Sequence, residues 1–520
     1  MSVPERENVQ SVQNQTIITA YKDIPYAVLD EDISGTLKTG FFNELGQIKS
    51  YYEIFAKGSD FASEGSHADY VPANLRYKKI RNLINREARF MFSRPLDIII
   101  NKNRNGNEKE KGQNTIINEF IRKVLEKNHF NSNVMKAAKD CFIGKRICIL
   151  LNFNEDTGID VTFLNALEFY YEYSGDDLTK LVAFIIDVDA TANQDKRIRK
   201  KSYTINEDGY CHITEKVYDG AGMLIETILE DSKTELEKVP AVIIFNDGLV
   251  NDMYGESEIE ELKEDEEWYS KLANADIDAG RKNMNPVTYT IDMGSNSTEN
   301  LPTGPGAYWD LQSDENGVEQ KTGKVGRLES QMSYSSALST TLERIDNQMH
   351  EELSVPNTSS EKLQGVVTSG KTLKALYWPL AVRSDEKMLV WYDAIISLIQ
   401  MLYTGALLYK KSTAHYTNNV LPSIEIDVSV ESNYALPEDE QEEKQIDLAE
   451  VNAMTMSKKA YMKKWRGLTD EEVTEELKQI ALEKELLESS SMPKMFPLGN
   501  EEQAVEDNSD DKLEEEEIEE

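Results

Sequence analysis

Two helical patterns of similar length, separated by a short segment with strand and turn signals, dominate the middle of the chain. The first covers Ser257 to Asn285 and stops at Pro286, which cannot continue a helix. Apolar residues of the second recur at steps of three or four, at Tyr334, Leu338, Leu342, Ile345, Met349 and Leu353. Between them, VTYTID has strand composition and is followed by a stretch rich in Gly, Asn, Ser and Thr. The pattern predicts two adjacent rods with a compact β-containing tip.

Patterns on either side of this pair mix helices and strands. Apolar residues with helical spacing precede a buried strand at 96–100; they are Leu75, Ile80, Leu83, Ile84 and Ala88. Residues 114–142 predict two more helices, and 145–246 predict an antiparallel sheet region of short β-rich runs. A helical pattern at 371–409 contains Pro379, which predicts a kink, and 423–430 alternates as a strand. Residues 438–488 are helical again, with a start signal at Ser457 and another at Thr469 followed by Glu472. The fold class is therefore predicted as α+β.

Composition excludes several kinds of protein. The chain has 520 residues and a net charge of −37, which argues against tight nucleic-acid binding by clustered Lys and Arg. It contains no long uninterrupted apolar run and no N-terminal basic and apolar signal, so we expect neither a membrane span nor secretion. The cysteines, Cys141, Cys148 and Cys211, are too scattered for a disulfide framework or a thiolate zinc site and are expected to be buried.

Catalytic and metal-ligating patterns are sparse. The histidines share no metal-ligand spacing, and the chain has no G-x-S-x-G, H-E-x-x-H or dinucleotide motif. We therefore predict no catalytic residues, no metal site and no cofactor, and hence no enzyme activity.

One motif favours a different function. Gly365, Gly370, Lys371 and Thr372 satisfy the phosphate-loop spacing G-x-x-x-x-G-K-[ST], which raises the hypothesis of a nucleotidase. A phosphate loop should leave a buried apolar strand, whereas here the preceding residues are polar. The structural alternative is that Ser369 and Gly370 cap the start of the helix that contains Pro379.

Three segments resemble the portal proteins of tailed phages, in particular the siphophage portal family. IGKRICILLNFNEDTGIDVTFLNALEFYYEY is similar to the family's strand, acidic turn, strand and aromatic run. KVPAVIIFNDGLVNDMYGESEIEELKEDEEWY resembles its proline-initiated strand, turn and entry to the first stem helix. TSGKTLKALYWPL resembles the start of its long kinked helix, and the resemblance covers about residues 51–486.

The resemblance implies a portal fold with an α/β wing, a two-helix stem, a small β-containing clip, a long kinked helix and a helical crown. Its expected limits on this chain are an N-terminal arm at 1–40, wing at 41–256, first stem helix at 257–285, clip at 286–331, second stem helix at 332–354, tunnel loop at 355–369, long kinked wing helix at 370–410, wing strand and connection at 411–437, crown at 438–488 and disordered acidic tail at 489–520.

The same resemblance implies a function and partners. It implies a dodecameric ring at one capsid vertex, made in the host bacterial cytoplasm, that forms the channel for DNA packaging and ejection and nucleates head assembly. Expected partners are double-stranded DNA in transit, held weakly and without specificity, the large terminase, a head-completion or adaptor protein, the scaffold protein and the major capsid protein. The tunnel loop would contact DNA through Asn357, Thr358, Ser359, Ser360, Lys362 and Gln364.

Three hypotheses remain open from the sequence. The portal interpretation predicts rings, with Leu338, Leu342, Ile345 and Met349 packed in the stem. The nucleotidase hypothesis predicts ATP turnover that depends on Lys371. A non-viral helical scaffold protein would be a monomer or dimer.

Overall fold

The computed structural model describes residues 35–60, 71–101, 108–174, 177–187, 197–219, 222–248, 254–284, 287–291, 324–328, 332–358, 370–434 and 440–490. The chain divides into two compact units, Met1–Pro437 and Glu438–Glu520.

Four helices open the first unit and share one large apolar core. They are α1 (Gly35–Lys57), α2 (Lys79–Phe92), α3 (Glu108–Lys127) and α4 (Phe130–Gly144). Helix α2 buries Ile80, Leu83, Ile84 and Ala88, as its spacing predicts. Leu75 does not belong to this helix; it lies before it and is exposed, because the main chain at 71–78 is held instead by polar side chains of a later helix. Helix α1 was not predicted from the sequence.

Strands between α4 and the helix pair form two antiparallel sheets. The first has the order β3 (Gly158–Asn165), β2 (Arg146–Asn154), β9 (Ala241–Phe245). The second has the order of β4 (Phe169–Ser174), β5 (Asp177–Asp187), β6 (Arg197–Ile205), β7 (Cys211–Tyr218) and β8 (Leu224–Lys233). A second apolar cluster joins the two sheets; it includes Cys148 and Leu164 from the first and Tyr203 and Cys211 from the second.

The predicted helix pair is present. Helix α5 (Glu258–Met284) leads to strand β10 (Val287–Ile291), which pairs antiparallel with β11 (Lys324–Leu328) before α6 (Ser335–Glu352) returns. Val287 pairs with Leu328 and Ile291 with Lys324, so the two strands form a hairpin that separates the two helices along the chain. Residues 292–323, which include a second short apolar run, YWDL, lie outside the described residues.

Helix α7 (Gly370–Leu408) supplies one side of the main core. Its buried residues recur at helical spacing; they include Leu380, Met388, Trp391, Ile395, Leu398, Ile399 and Leu402. Near its end, a Cβ on Gly405 would lie 2.1 Å from the Phe153 ring, so glycine lets the helix approach strand β2 this closely. A short helix α8 (Lys410–Thr413) follows, and β12 (Val428–Glu431), shorter than the predicted 423–430 strand, pairs antiparallel with β1 (Asp97–Ile100).

The second unit contains three helices in its described part. They are α9 (Glu440–Asn452), α10 (Lys458–Arg466) and α11 (Asp470–Ser490). Ser457 caps α10 by accepting a 3.1 Å hydrogen bond from the Ala460 N–H, and Thr469 and Glu472 form the predicted capping box at α11. Trp465 Nε1 donates to Asp447 at 2.7 Å and thereby ties α10 to α9.

Candidate functional site

Helices α5 and α6 pack against each other and form the centre of the candidate site. On α6, Met349 is buried, while Leu338, Leu342 and Ile345 are half-buried within the single chain. The predicted apolar stripe therefore faces the chain's own core most fully at its C-terminal end. Its other members keep part of their surface available for contacts beyond the chain.

A polar stripe on α5 binds the main chain that precedes α2. Glu266 accepts hydrogen bonds from Ser59 N at 2.8 Å and Ile80 N at 3.0 Å. Asn274 accepts from Leu75 N at 2.8 Å and donates to Leu75 O at 2.7 Å. One turn further, Asp278 accepts from the Ala73 N–H at 2.9 Å. These side chains lie eight and four residues apart and so share one face of α5, where they supply hydrogen-bond partners for main-chain groups that have none in a sheet.

Asn274→Ala is expected to lower the free energy of unfolding by about 2 kcal/mol, because it removes both hydrogen bonds to Leu75 and leaves part-buried main-chain groups without partners. Chemical denaturation measures the change. Glu267→Ala, at an exposed position of the same helix, is the control and should change stability by less than about 0.5 kcal/mol. Equal stability of Asn274→Ala and the wild type would show that this contact is not used in solution.

A buried ionic cluster joins α2, α5 and α7. It comprises Glu87, Glu258, Arg383 and Lys387, of which the two carboxylates are 0% and 1% exposed. Lys387 Nζ lies 2.8 Å from a Glu87 oxygen and also contacts Glu258. Arg383 Nε donates to Glu87 at 3.2 Å, and Arg383 Nη2 lies 3.5 Å from Glu258. Two carboxyl groups and two basic side chains thus contact each other where three helices meet.

Burial and nearby charges shift the pKa values of the two carboxyl groups of this cluster in opposite directions. Burial raises the pKa of Glu258 to about 8, helped by the nearby charge of Glu87 and opposed by Lys387 and Arg383. Burial alone would also raise the pKa of Glu87, but the charges of Lys387 and Arg383 outweigh it and lower that pKa. The pair can therefore share one proton near neutral pH. Sequence analysis missed this cluster, although Lys387 falls at a core-facing position of its helix.

A hydrogen-bonded joint connects the first sheet to α5. Asn246, just after β9, accepts at its carbonyl from Glu256 N at 2.8 Å, and its side chain donates to the Glu256 carbonyl at 2.8 Å. Ser257 donates to the Ile143 carbonyl at 2.6 Å. Gly255 adopts φ +73, and a Cβ there would lie 2.5 Å from the Lys145 carbonyl oxygen. The direction in which α5 leaves the sheet is thus fixed by these contacts.

The predicted tunnel loop starts from an anchored segment after α6. His350 Nδ1 donates to the Val355 carbonyl at 2.8 Å, and burial lowers the pKa of His350, which keeps it neutral. Asn357 donates to Asp346 at 3.2 Å, and Asp346 also pairs with Lys79 at 2.8 Å. The amide of Asn357, predicted to contact DNA, is therefore engaged within the chain, and Thr358 is half-buried. The other predicted loop residues, Ser359, Ser360, Lys362 and Gln364, lie outside the described residues.

Pro379 lies inside α7, as predicted, two turns from its start. Because proline has no N–H, the carbonyl of Ala375 lacks its usual helical donor. The kink itself stays a prediction. Among the described residues, one helix, 372–408, is long and apolar enough to cross a membrane, and its most apolar window is 50% buried, as in core helices.

The phosphate-loop hypothesis gains no support from the described geometry. Gly370, Lys371 and Thr372 form the first turn of α7, while Gly365 lies outside the described residues. Every strand pairing in the described part of the chain is antiparallel, whereas a phosphate loop follows a strand of a parallel sheet. No group of metal-ligating side chains occurs among the described residues.

All three cysteines are buried and unpaired, as expected. Burial raises the pKa of each thiol, that of Cys211 to about 11. These thiols therefore behave as small apolar core groups rather than nucleophiles.

The helix pair with its hairpin and the long proline-containing helix define an α+β fold in which three helices meet at a buried ionic cluster. The chain belongs to the phage portal protein family, since the family profile described as "Phage portal protein, SPP1 Gp6-like" matches residues 49–488. This family is generally structural, and membership makes the chain an oligomeric component of the phage particle.

Comparison with solved structures gave a similar chain in the "Virion of native gene transfer agent (GTA) particle". The two share 9% identity with a TM-score of 0.35, and the match covers 75% of this chain and 89% of that chain. No curated protein matched the chain.

Proposed function

We propose that this chain forms a dodecameric ring at one capsid vertex, through which DNA is packaged and ejected. The observation that carries the proposal is the family match over residues 49–488, which spans both helices of the pair and the long helix. In this proposal α5 and α6 are the stem, β10 and β11 belong to the clip, and the segment that begins at Val355 lines the channel. The protein acts without catalysis.

The charge of the chain supports transit of DNA rather than retention. At a net charge of −37, a channel formed by many copies gains little from counterion release when a phosphate backbone passes through it. Polar uncharged side chains predicted for the tunnel loop would make weak contacts that exchange as DNA moves. Strong cationic contacts would hold the DNA in place.

The ring offers surfaces for the other proteins of head assembly. We propose that the clip docks the large terminase during packaging and a head-completion or adaptor protein afterwards. The outer surface of the wing contacts scaffold and major capsid protein, so that the ring nucleates the head. These partners would place the protein at the portal vertex of a virion made in the host bacterial cytoplasm.

Native mass spectrometry with negative-stain imaging of the purified chain at moderate salt tests this function. Rings with a central hole are expected. A stable monomer or dimer at all concentrations would overturn the proposal and favour a helical scaffold protein.

Leu342→Asp is expected to weaken the stem. The substitution places a charge on the half-buried stripe of α6 and should destabilise the packed pair by about 2 kcal/mol per subunit, which reduces ring yield. Ser339→Asp introduces the same charge on an exposed position of the same helix and serves as the control. Native mass and thermal unfolding of both variants give the comparison; rings and melting unchanged in Leu342→Asp would show that the stripe is not buried in the assembly.

A further inference from the structure

The outward face of α7 carries a continuous group of exposed apolar side chains. Trp378 is 69% exposed, Val382 41%, Leu389 65% and Val390 44%. They recur at helical spacing on the side opposite the buried residues of the same helix. From Trp378 to Asp393 this face is about 22 Å long. We call it the α7 face.

Lipid does not suit this surface. Glu386 and Asp393 lie on the α7 face and are exposed, between and beside the apolar residues. A carboxylate within a bilayer core is strongly unfavourable, even on permissive scales. An apolar surface interrupted by carboxylates instead fits a protein partner that brings both apolar and cationic side chains.

A second exposed face, on α5, has that chemistry. Trp268 is 54% exposed, and Lys271 Nζ lies 4.7 Å from the centre of its ring. Ala275 continues the same face one turn later. The opposite side of α5 is used within the chain by Leu262, Glu266 and Ser270, which are buried. We call the outward residues Trp268, Lys271 and Ala275 the α5 face.

We propose that the α7 face of one copy binds the α5 face of the next copy around the ring. This inference rests on the proposed ring and names the surfaces that close it. A cyclic ring with more than two members needs two different, complementary patches on each chain, and these two faces meet that need. Trp268 covers apolar side chains of the α7 face, while Lys271 pairs with Glu386 or Asp393.

Two single substitutions, one on each face, test the pairing. Trp268→Asp and Trp378→Asp should each raise the concentration needed for half-maximal ring assembly by about tenfold or more, as for a central interface tryptophan. Val420→Asp, at a residue that is 90% exposed and outside both faces, is the control and should leave the rings unchanged. Unchanged far-ultraviolet circular dichroism confirms that each chain remains folded.

Mixing the two variants gives the sharper result. Trp268→Asp keeps an intact α7 face and Trp378→Asp keeps an intact α5 face, so the mixture should form heterodimers by native mass but no rings. At the same concentration, chosen below that at which either variant assembles by itself, each variant alone should stay monomeric. Loss of rings without heterodimers in the mixture would overturn the pairing of these two faces.

Charge reversal gives a second route to the same interface. Lys271→Glu should impair assembly, and Glu386→Lys or Asp393→Lys in the same chain should restore it. Failure of both to restore rings would contradict the proposed contact. If the wild type forms rings and both tryptophan variants form them equally well, this inference fails while the proposed function stands; absence of rings in the wild type removes the proposed function itself.

Discussion

Lys387→Met is expected to lower the free energy of unfolding by about 3–5 kcal/mol. The substitution removes the basic side chain that contacts both Glu87 and Glu258, so buried carboxyl oxygens lose their partner and only Arg383 remains to stabilise the charge of Glu87. Denaturant-induced unfolding measures the loss. Lys374→Met, on the exposed side of the same helix, is the matched control and should stay within about 0.5 kcal/mol of the wild type. Equal effects of the two substitutions would contradict the role of the cluster.

The same cluster predicts a pH dependence with a definite sign. The folded-state pKa of Glu258 is raised from 4.5 to about 8, so the folded chain holds a proton that the unfolded chain releases between these values. The contribution of Glu258 to stability is therefore full below pH 4.5 and is lost as pH rises through about 8. Glu87 has a lowered pKa, and its contribution is lost only as pH falls through that lower value.

The Glu258→Gln variant separates the contribution of Glu258 to stability from that of Glu87, because a glutamine side chain does not titrate. Its unfolding free energy should decline less than that of the wild type as pH rises from 4.5 to about 8. Parallel stability curves for the two proteins across this range would show that Glu258 does not take up the extra proton.

Gly255→Ala is expected to cost about 3 kcal/mol, because two penalties combine at one position. The residue has φ +73, where an L side chain is strained, and the new Cβ would lie 2.5 Å from a main-chain oxygen that cannot swing away. The joint between β9 and α5 must then open. Thermal unfolding should report the loss, and ring yield should fall with it.

Gly209→Ala isolates the conformational penalty. Gly209 has a similar φ of +78, but no atom lies within 4 Å of the position its Cβ would occupy. Its substitution should cost only about 1 kcal/mol. If Gly255→Ala proves no more harmful than Gly209→Ala, the close approach at the joint is not a constraint.

Helices α5, α6 and α7 could be predicted because their burial is one-sided. Residues that face the core in α5, α6 and α7 recur at steps of three and four, and Pro286 marks the end of the first. The caps at Ser457 and Thr469 were predicted for a similar reason, since the side chain that makes the contact lies within three residues of its partner.

Within the predicted sheet region, strand β8 could not be recognised individually, because its own pattern points to another structure. Leu224, Ile225, Ile228 and Leu229 form pairs four residues apart, a spacing typical of a helix, and all are exposed at the edge of the sheet. Helix α1 was missed because its aromatic and small residues alternate with polar ones without a clear apolar face. In both cases tertiary pairing, rather than local preference, decides the structure.

The buried ionic cluster could not be predicted from the sequence, for a different reason. Glu87, Glu258 and Lys387 are far apart along the chain and meet only after three helices have packed. In a chain with 94 acidic residues, no single carboxylate stands out as buried. The usable signal for burial was position along the helix, because Lys387 and Glu266 lie in helical turns whose neighbouring residues face the core.

Bonding along α5 has a mechanical consequence. Its first turn is held by the ionic cluster. Glu266, Asn274 and Asp278 in the following turns accept hydrogen bonds from main-chain N–H groups at 59 and at 73–80. A force applied to the hairpin at the far end of α5 would act on a helix that is hydrogen-bonded along one side. These bonds resist bending of α5 and transmit the force to α2 and the first sheet. If the chain forms the proposed ring around DNA, α5 would be its stiff element. The segments that α5 does not contact would then be the ones that bend.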